Sequence, residues 1–205
     1  MKITTLTIIG QVEGHYLLPE TQKTTKYEHM IPLICEAEED VEVGGLLVIL
    51  NTVGGDVEAG LALAELIAGV HKPTATLVLG GGHSIGAPLA VAGRRSFIVP
   101  SATMTLHPVR INGVVLGAPQ SYDYLNKMQN RIVEFISSHS RCSAEALRRM
   151  IMRSDKLATD MGCILNGREA VAAGLIDEIG SAGDALEWLH SQESADHLPL
   201  IDGGE

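Results

Sequence analysis

The stretch that decides the architecture of this chain is Val78-Leu79-Gly80-Gly81-Gly82-His83-Ser84-Ile85-Gly86-Ala87-Pro88. The apolar run at 74–79 predicts a buried strand, and the small residues after Ser84 predict a helix. Glycines in series let the backbone adopt positive φ and pass close to other atoms. A sharp strand-to-helix turn of this kind lifts one side chain out of the sheet, as the Gly-x-Ser-x-Gly turn of hydrolases does. The stretch therefore predicts either a nucleophilic Ser84 or a plain strand–helix turn with a capping serine.

The flanking sequence repeats the alternation of strand and helix. Residues 45–50 form a continuous apolar run, typical of a parallel strand covered on both faces, and a helix is predicted from about 56 to 70. Other strands are predicted at 3–9, 96–99 and 102–106, and other helices at 27–39, 120–139, 143–152, 168–173 and 184–190. Pro32 suits its helix only if it lies in the first turn. Asn112-Gly113, between two apolar runs, predicts a hairpin. The alternation favours right-handed βαβ units and an α/β fold.

Length and composition narrow the possible functions. The 205 residues fit one domain, predicted over residues 1–190, followed by a polar, acidic and flexible tail at 191–205. A formal net charge of −10 argues against binding nucleic acid or an anionic membrane surface. No apolar run approaches the length of a membrane-inserted span. Three widely spaced cysteines predict a reduced, cytoplasmic protein in which each is a small buried or half-buried residue; they are Cys35, Cys142 and Cys163.

Ligand motifs for metals and nucleotides are missing from the sequence. The cysteines and histidines do not have metal-ligand spacing, so no metal site is expected. The glycine-rich stretch lacks the Gly-Lys-Ser/Thr ending of a phosphate loop, so neither ATP nor another cofactor is expected.

Three chemically useful positions follow predicted strands. Gly54-Gly55 comes after the 45–50 strand, Ser84 after the 74–79 strand and His107 after the 102–106 strand. Ligands collect at the carboxyl ends of parallel strands, so these residues should meet at one edge of the sheet. The amides of Gly55 and Ile85 could then form a two-donor oxyanion hole, while His107 accepts the proton of Ser84.

Four ordered strings carry a resemblance to a known family. They are Asn51-Thr52-Val53-Gly54-Gly55, His83-Ser84-Ile85-Gly86-Ala87, Met104-Thr105-Leu106-His107-Pro108 and Glu169-Ala170-Val171-Ala172-Ala173-Gly174-Leu175-Ile176-Asp177. The order and spacing of these motifs resemble those of the proteolytic-subunit (ClpP) family of Clp serine peptidases. The resemblance covers the chain from about residue 3 to 179. The longer strings at 50–60, 79–88 and 103–110 look most like the translocation-enhancing branch of that family.

The resemblance implies a crotonase-like fold of stacked βαβ units with a protruding handle at about 117–140, which mediates assembly into a homo-oligomeric ring. It also implies a serine endopeptidase that cleaves peptides or unfolded protein segments without hydrolysing ATP itself. An AAA+ unfoldase partner is compatible with the family but not required by this sequence. An extended substrate would add as a strand beside residues 112–116, with substrate contacts expected at Gly54, Asn112, Gly113 and Val114.

The resemblance also implies a Ser-His-Asp catalytic triad, and the sequence departs from the family pattern at the aspartate. Counting back from the string at 169–177, the family's aspartate position falls on Gly162. Asp160, two residues earlier, is the predicted acid, which would orient the His107 ring and stabilise its protonated form. Asn166, a water molecule or a backbone carbonyl are the alternatives.

Other functions stay open at this point. Lys156 could form a Ser–Lys pair, although it lies in a polar run where a lowered lysine pKa is not expected. An acyl-CoA enzyme of the crotonase fold would share the oxyanion hole but needs carboxylates as acid and base. A scaffold that binds peptides without cleaving them would explain why Gly162 stands at the position of the family's catalytic aspartate. His83 is expected to line the cleft, and Arg110 to pair between subunits, to anchor a peptide or to be an exposed surface residue.

Overall fold

The computed structural model of this protein describes residues 2–110, 117–154 and 162–196. Within these ranges there are eight strands and seven helices. The strands are β1 (Lys2–Glu13), β2 (Thr24–Lys26), β3 (Val43–Gly55), β4 (Thr74–His83), β5 (Arg95–Ile98), β6 (Thr103–Leu106), β7 (Cys163–Asn166) and β8 (Glu178–Ile179). The helices are α1 (Tyr27–Glu39), α2 (Val57–Ala68), α3 (Gly86–Val91), α4 (Ala118–Ser138), α5 (Ala144–Ile151), α6 (Gly167–Ala172) and α7 (Ala182–Asp196).

The strands form one sheet whose path runs β2-β1-β3-β4-β5-β8, with every pair along it parallel. Strand β4 changes neighbours along its length: Ala75–Val78 pairs with β5, and Gly81–His83 pairs with β6. Strand β7 is antiparallel to β6. The predicted α/β fold of βαβ units is confirmed, and it has the ClpP-type architecture that the resemblance implied.

Two apolar layers cover the two faces of the sheet. Because side chains alternate along a strand, Leu46, Val48 and Leu50 of β3 enter the large core with α1, α2 and α3. Leu47 of the same strand instead joins a small cluster with α7 on the opposite face, whose members are Leu47, Ala75, Leu77, Phe97, Ala185 and Leu189. This double coverage explains the continuous apolar run at 45–50.

Strand β4 does not end at Leu79, where the sequence predicted the start of a glycine turn, but continues through the three glycines to His83. The glycines serve close packing there. A Cβ on Gly80 would lie 2.4 Å from the Asn51 side-chain oxygen, which instead accepts a hydrogen bond from the Gly81 amide at 3.0 Å. Glycine has no side chain, but its backbone N–H and C=O groups can still pair with a neighbouring strand. Strand β4 therefore extends to His83, the residue before Ser84.

The helix predictions are confirmed with two differences, and the predicted burial of one cysteine is wrong. Pro32 lies inside α1 rather than in its first turn. It is exposed, and the burial of Met30 and Ile34 on the other face offsets a cost of about 3 kcal/mol for an internal proline. Helix α7 continues to Asp196, six residues beyond its predicted end, so part of the predicted tail is helical. Cys35 is exposed, whereas the other two cysteines are buried as predicted.

Helix α4 is the predicted handle, and only part of it belongs to the core. Met128, Val133, Phe135 and Ile136 in its second half are buried. Tyr124, in the first half of the helix, is 52% exposed. The predicted Asn112–Gly113 hairpin lies outside the described residues. Over the residues that are described, no helix combines the length and apolar character needed to cross a membrane.

Candidate active site

Ser84 sits on a strained turn between β4 and α3. Its φ is 56°, the left-handed region that residues with a side chain rarely adopt, at a cost of about 1–3 kcal/mol. The Ser84 amide donates to the carbonyl of Thr105 at 2.8 Å, and the Ser84 carbonyl accepts from the Ala87 amide at 3.0 Å. Both backbone groups of Ser84 are therefore held in place by hydrogen bonds.

The glycine pair at the end of β3 approaches this turn closely. Gly54 has φ 91°, and a Cβ there would lie 2.7 Å from the Cβ of Ser84, so no other residue fits. Gly55 packs on β1, where a Cβ would lie 2.1 Å from the Val12 carbonyl oxygen. Thr52 holds Gly54 in place through its hydroxyl, which donates to the Gly10 carbonyl at 2.7 Å and accepts from the Gly54 amide at 3.0 Å.

One cavity of about 200 Å³ brings the predicted residues together. Gly55, Ser84, Ile85 and His107 all line it. The remainder of its wall consists of Arg110 and apolar side chains, which are Val57, Leu106, Val109, Ile132, Ile136 and Ile151. Ile85 is the N-cap residue of α3, where helix amides have no partner within the helix. The cavity thus combines a hydroxyl, an imidazole and backbone donors with an apolar wall.

The His107 ring has a hydrogen-bond partner on one of its two nitrogens. Its Nδ1 lies 2.7 Å from the carbonyl oxygen of Pro108. A carbonyl can only accept, so Nδ1 carries the proton and Nε2 of the neutral ring is the basic nitrogen. A backbone carbonyl was among the alternatives to Asp160 as the partner of this ring, but the sequence did not indicate that Pro108 supplies it, because every residue has a backbone carbonyl.

The structure leaves no room for an acid at the family's position. Gly162 is buried with φ 128°, and a Cβ there would lie 2.2 Å from the Leu106 carbonyl oxygen and 3.0 Å from the Cα of His107. The predicted acid, Asp160, and the alternative base, Lys156, lie outside the described residues.

Asn166, the amide alternative, serves another role. Its side chain accepts from the Glu169 amide at 3.0 Å, and the Glu169 carboxylate accepts from the Asn166 amide, which forms a capping box on α6. In the β6–β7 pair Asn166 faces Thr103, while Leu106, next to His107, faces Cys163. Asn166 is therefore at the far end of the strand from the imidazole.

Of the predicted substrate contacts, Gly54 lies against Ser84, and Asn112, Gly113 and Val114 lie outside the described residues. His83, expected in the cleft, instead has its Nδ1 2.9 Å from the Thr105 hydroxyl, and burial lowers the pKa of its ring. In the described ranges, no three histidine, cysteine or acidic side chains cluster so that they could hold a metal ion.

Comparison with known proteins identifies the family of this chain. The Clp protease family model matches residues 5–183, so the chain belongs to the Clp protease family. It is 54% identical to the translocation-enhancing protein TepA of Halalkalibacterium halodurans, over 90% of this chain and 72% of that protein. The identity with ATP-dependent Clp protease proteolytic subunit 1 of Chlamydia trachomatis serovar D is 30%, over 65% of this chain and 69% of the relative. A putative protease of Methanocaldococcus jannaschii is 25% identical over 94% of this chain and 69% of its own length. The predicted resemblance to the family and its translocation-enhancing branch is confirmed.

Proposed function

We propose that this chain is a serine endopeptidase that cleaves peptides or unfolded protein segments. The observation that carries the proposal is the single cavity that holds Ser84 on a left-handed turn together with His107, Gly55 and Ile85. Membership of the Clp protease family supports peptide-bond chemistry. No cofactor is needed, because each chemical role falls to a side chain or a backbone amide.

In the proposed reaction the Ser84 oxygen attacks the carbonyl carbon of the peptide while its proton passes to Nε2 of His107. The carbonyl oxygen gains the negative charge, and the amides of Gly55 and Ile85 stabilise it. The protonated His107 then gives its proton to the leaving amine as the C–N bond breaks. Water hydrolyses the resulting acyl-enzyme by the same steps and restores the serine.

Asp160 remains the proposed acid of the triad. Gly162 cannot supply a carboxylate and Asn166 caps a helix, which leaves Asp160 as the acid nearest to the family position. A carboxylate on Nδ1 would stabilise the protonated ring more strongly than the Pro108 carbonyl, because a charged acceptor forms the stronger hydrogen bond.

The apolar wall favours substrates with an aliphatic side chain at the cleaved bond, since Val57, Ile132 and Ile151 offer it no polar partner. In the proposal the substrate lies extended beside residues 112–116, the chain works as a cytoplasmic homo-oligomeric ring, and an AAA+ unfoldase is an optional partner. An acyl-CoA enzyme is disfavoured, because none of the described residues that line the cavity is a carboxylate.

Labelling with a fluorophosphonate probe tests the proposal. The purified protein should be labelled at residue 84, and Ser84→Ala should abolish labelling and hydrolysis of an unfolded protein substrate. Ser101→Ala, at an exposed turn, is the matched control and should label as the wild type does.

Asp160→Asn should lower turnover by roughly 10⁴-fold, whereas Asn166→Ala should have a mild effect. Undiminished labelling of Ser84→Ala would reject the nucleophile, and full activity of Asp160→Asn would leave a Ser–His pair.

A second candidate is a scaffold that binds extended peptides without cleaving them. The observation that favours it is the Nδ1–Pro108 hydrogen bond, which gives His107 a neutral partner in place of a carboxylate. A wild-type protein that binds an unfolded peptide but neither labels at Ser84 nor hydrolyses the peptide would select this candidate.

A further inference from the structure

A hydrogen bond joins His83, the residue before Ser84, to Thr105. His83 ends β4, Thr105 belongs to β6, and the two residues are register partners in the parallel pair. The Thr105 hydroxyl lies 2.9 Å from Nδ1 of His83, while the Thr105 carbonyl accepts the Ser84 amide at 2.8 Å. One threonine therefore contacts two consecutive residues of the nucleophile turn, once through its side chain and once through its backbone.

This contact joins the segments that carry the nucleophile and the base. His83 immediately precedes Ser84, and Thr105 stands two residues before His107. The β4–β6 pairing covers only Gly81, Gly82 and His83 on the β4 side. Because the two glycines have no side chains, His83 is the one residue of this pairing on β4 whose side chain can bond to β6.

The imidazole is seated tightly in this position. It is half-buried, and a Cβ on Gly81 would lie 2.6 Å from Nε2 of His83, so the ring occupies the space that the glycine leaves open. Burial lowers the pKa of the ring and favours its neutral form. Nδ1 of the neutral ring can then accept the hydrogen bond that the Thr105 hydroxyl donates.

We propose that His83 and Thr105 form a positioning pair that holds Ser84 in its left-handed conformation and in register with His107. The inference rests on the proposed serine mechanism. Neither side chain lines the cavity, so the pair acts through the backbone of Ser84 and not on the substrate. Its loss lets the strained turn relax toward ordinary φ, which misplaces the hydroxyl.

The test compares the rate at which a fluorophosphonate labels Ser84. Thr105→Val removes the hydroxyl and keeps the shape, and it should slow labelling about 3- to 10-fold, the range expected for one lost hydrogen bond. Thr105→Ser keeps the hydroxyl and should stay within about twofold of the wild type. His83→Leu should match Thr105→Val, and the double variant should be no slower than either. With a peptide substrate, kcat should fall while KM is unchanged.

Thr103→Val is the matched control, because Thr103 lies on the same strand and the same face two residues earlier and is paired with Gly81, which offers no side chain. It should label at the wild-type rate. If Thr105→Val and His83→Leu also label at that rate, the positioning role is overturned.

Hydrogen exchange at the Ser84 amide separates this inference from the proposed function. The amide should exchange faster in Thr105→Val and His83→Leu than in the wild type and Thr103→Val, because the strand pairing that protects it is weakened. If the wild-type protein is not labelled by the fluorophosphonate, the proposed serine mechanism is rejected. Hydrogen exchange at the Ser84 amide would still show whether His83 and Thr105 hold the turn in place. Equal exchange in all four proteins would overturn the pair whatever the labelling shows.

Discussion

At the scale of single residues, Gly162 is constrained like Ser84 by a positive φ, and it lies against His107. Its backbone adopts φ 128° and lies against the carbonyl of Leu106, so a side chain is excluded both by conformation and by contact. The position to which the family resemblance assigns the catalytic aspartate is here packed against Leu106 and His107. An acid restored at this position would therefore disrupt the site it was meant to complete.

Gly162→Asp should lower the free energy of unfolding by about 1–3 kcal/mol, the cost of forcing a side chain into this backbone region. It should also lower the rate of Ser84 labelling, because the clash displaces the segment before His107. Thermal unfolding and labelling measure the two effects. Gly183→Ala is the control, because its Cβ would meet only Ser181 at 3.5 Å in α7. A Gly162→Asp protein that is stable and more active would show that the position can hold the acid.

At the scale of elements, an ion pair joins the handle to the body. Nη1 and Nη2 of Arg131 on α4 donate to the two carboxylate oxygens of Glu58 on α2 at 2.6 and 3.0 Å. These hydrogen bonds hold the pKa of the Glu58 carboxyl below its usual range, and they raise the pKa of Arg131. Both side chains are about half exposed, so solvent screens the pair and its contribution is small.

Glu58→Gln should therefore lower the free energy of unfolding by less than about 1 kcal/mol at neutral pH. The contribution of a carboxyl with a lowered pKa is present above its ordinary pKa of about 4.3 and is lost as the pH falls through the lower folded-state value. Urea unfolding at pH 7 and pH 3 checks this. Glu28→Gln, on an exposed part of α1, is the matched control. A difference that persists at pH 3 would contradict the electrostatic explanation.

At the scale of the whole molecule, the first half of α4 leaves aromatic surface uncovered. Tyr122 and Tyr124 are 67% and 52% exposed, although one face of the second half of the same helix is buried. Exposed apolar surface of this kind marks a contact site in soluble proteins. It supports the proposed assembly through the handle.

Tyr124→Glu should convert the assembled protein into monomers, because it places a charge where two subunits would bury apolar surface. Sedimentation velocity measures the change. Asn126→Asp adds a negative charge at another exposed position of the same helix and should leave the assembly intact. A wild-type protein that sediments as a monomer would reject the handle as an assembly element.

The sequence by itself determined those features that depend on neighbours along the chain. Periodicity predicted α1 to its end residues and α6 to within one residue at each end, and the glycine and serine motifs predicted which residues meet in one cavity. Strands β7 and β8, with four and two residues, were too short to show a pattern and exist only because β6 and β5 pair with them.

The tertiary structure alone decided which groups surround each predicted residue. The Pro108 carbonyl on His107, the Thr105 hydroxyl on His83 and the Leu106 carbonyl against Gly162 depend on backbone atoms or on strand register. Backbone atoms are identical in every residue, and parallel register joins positions some twenty residues apart or more, so neither leaves a local trace in the sequence.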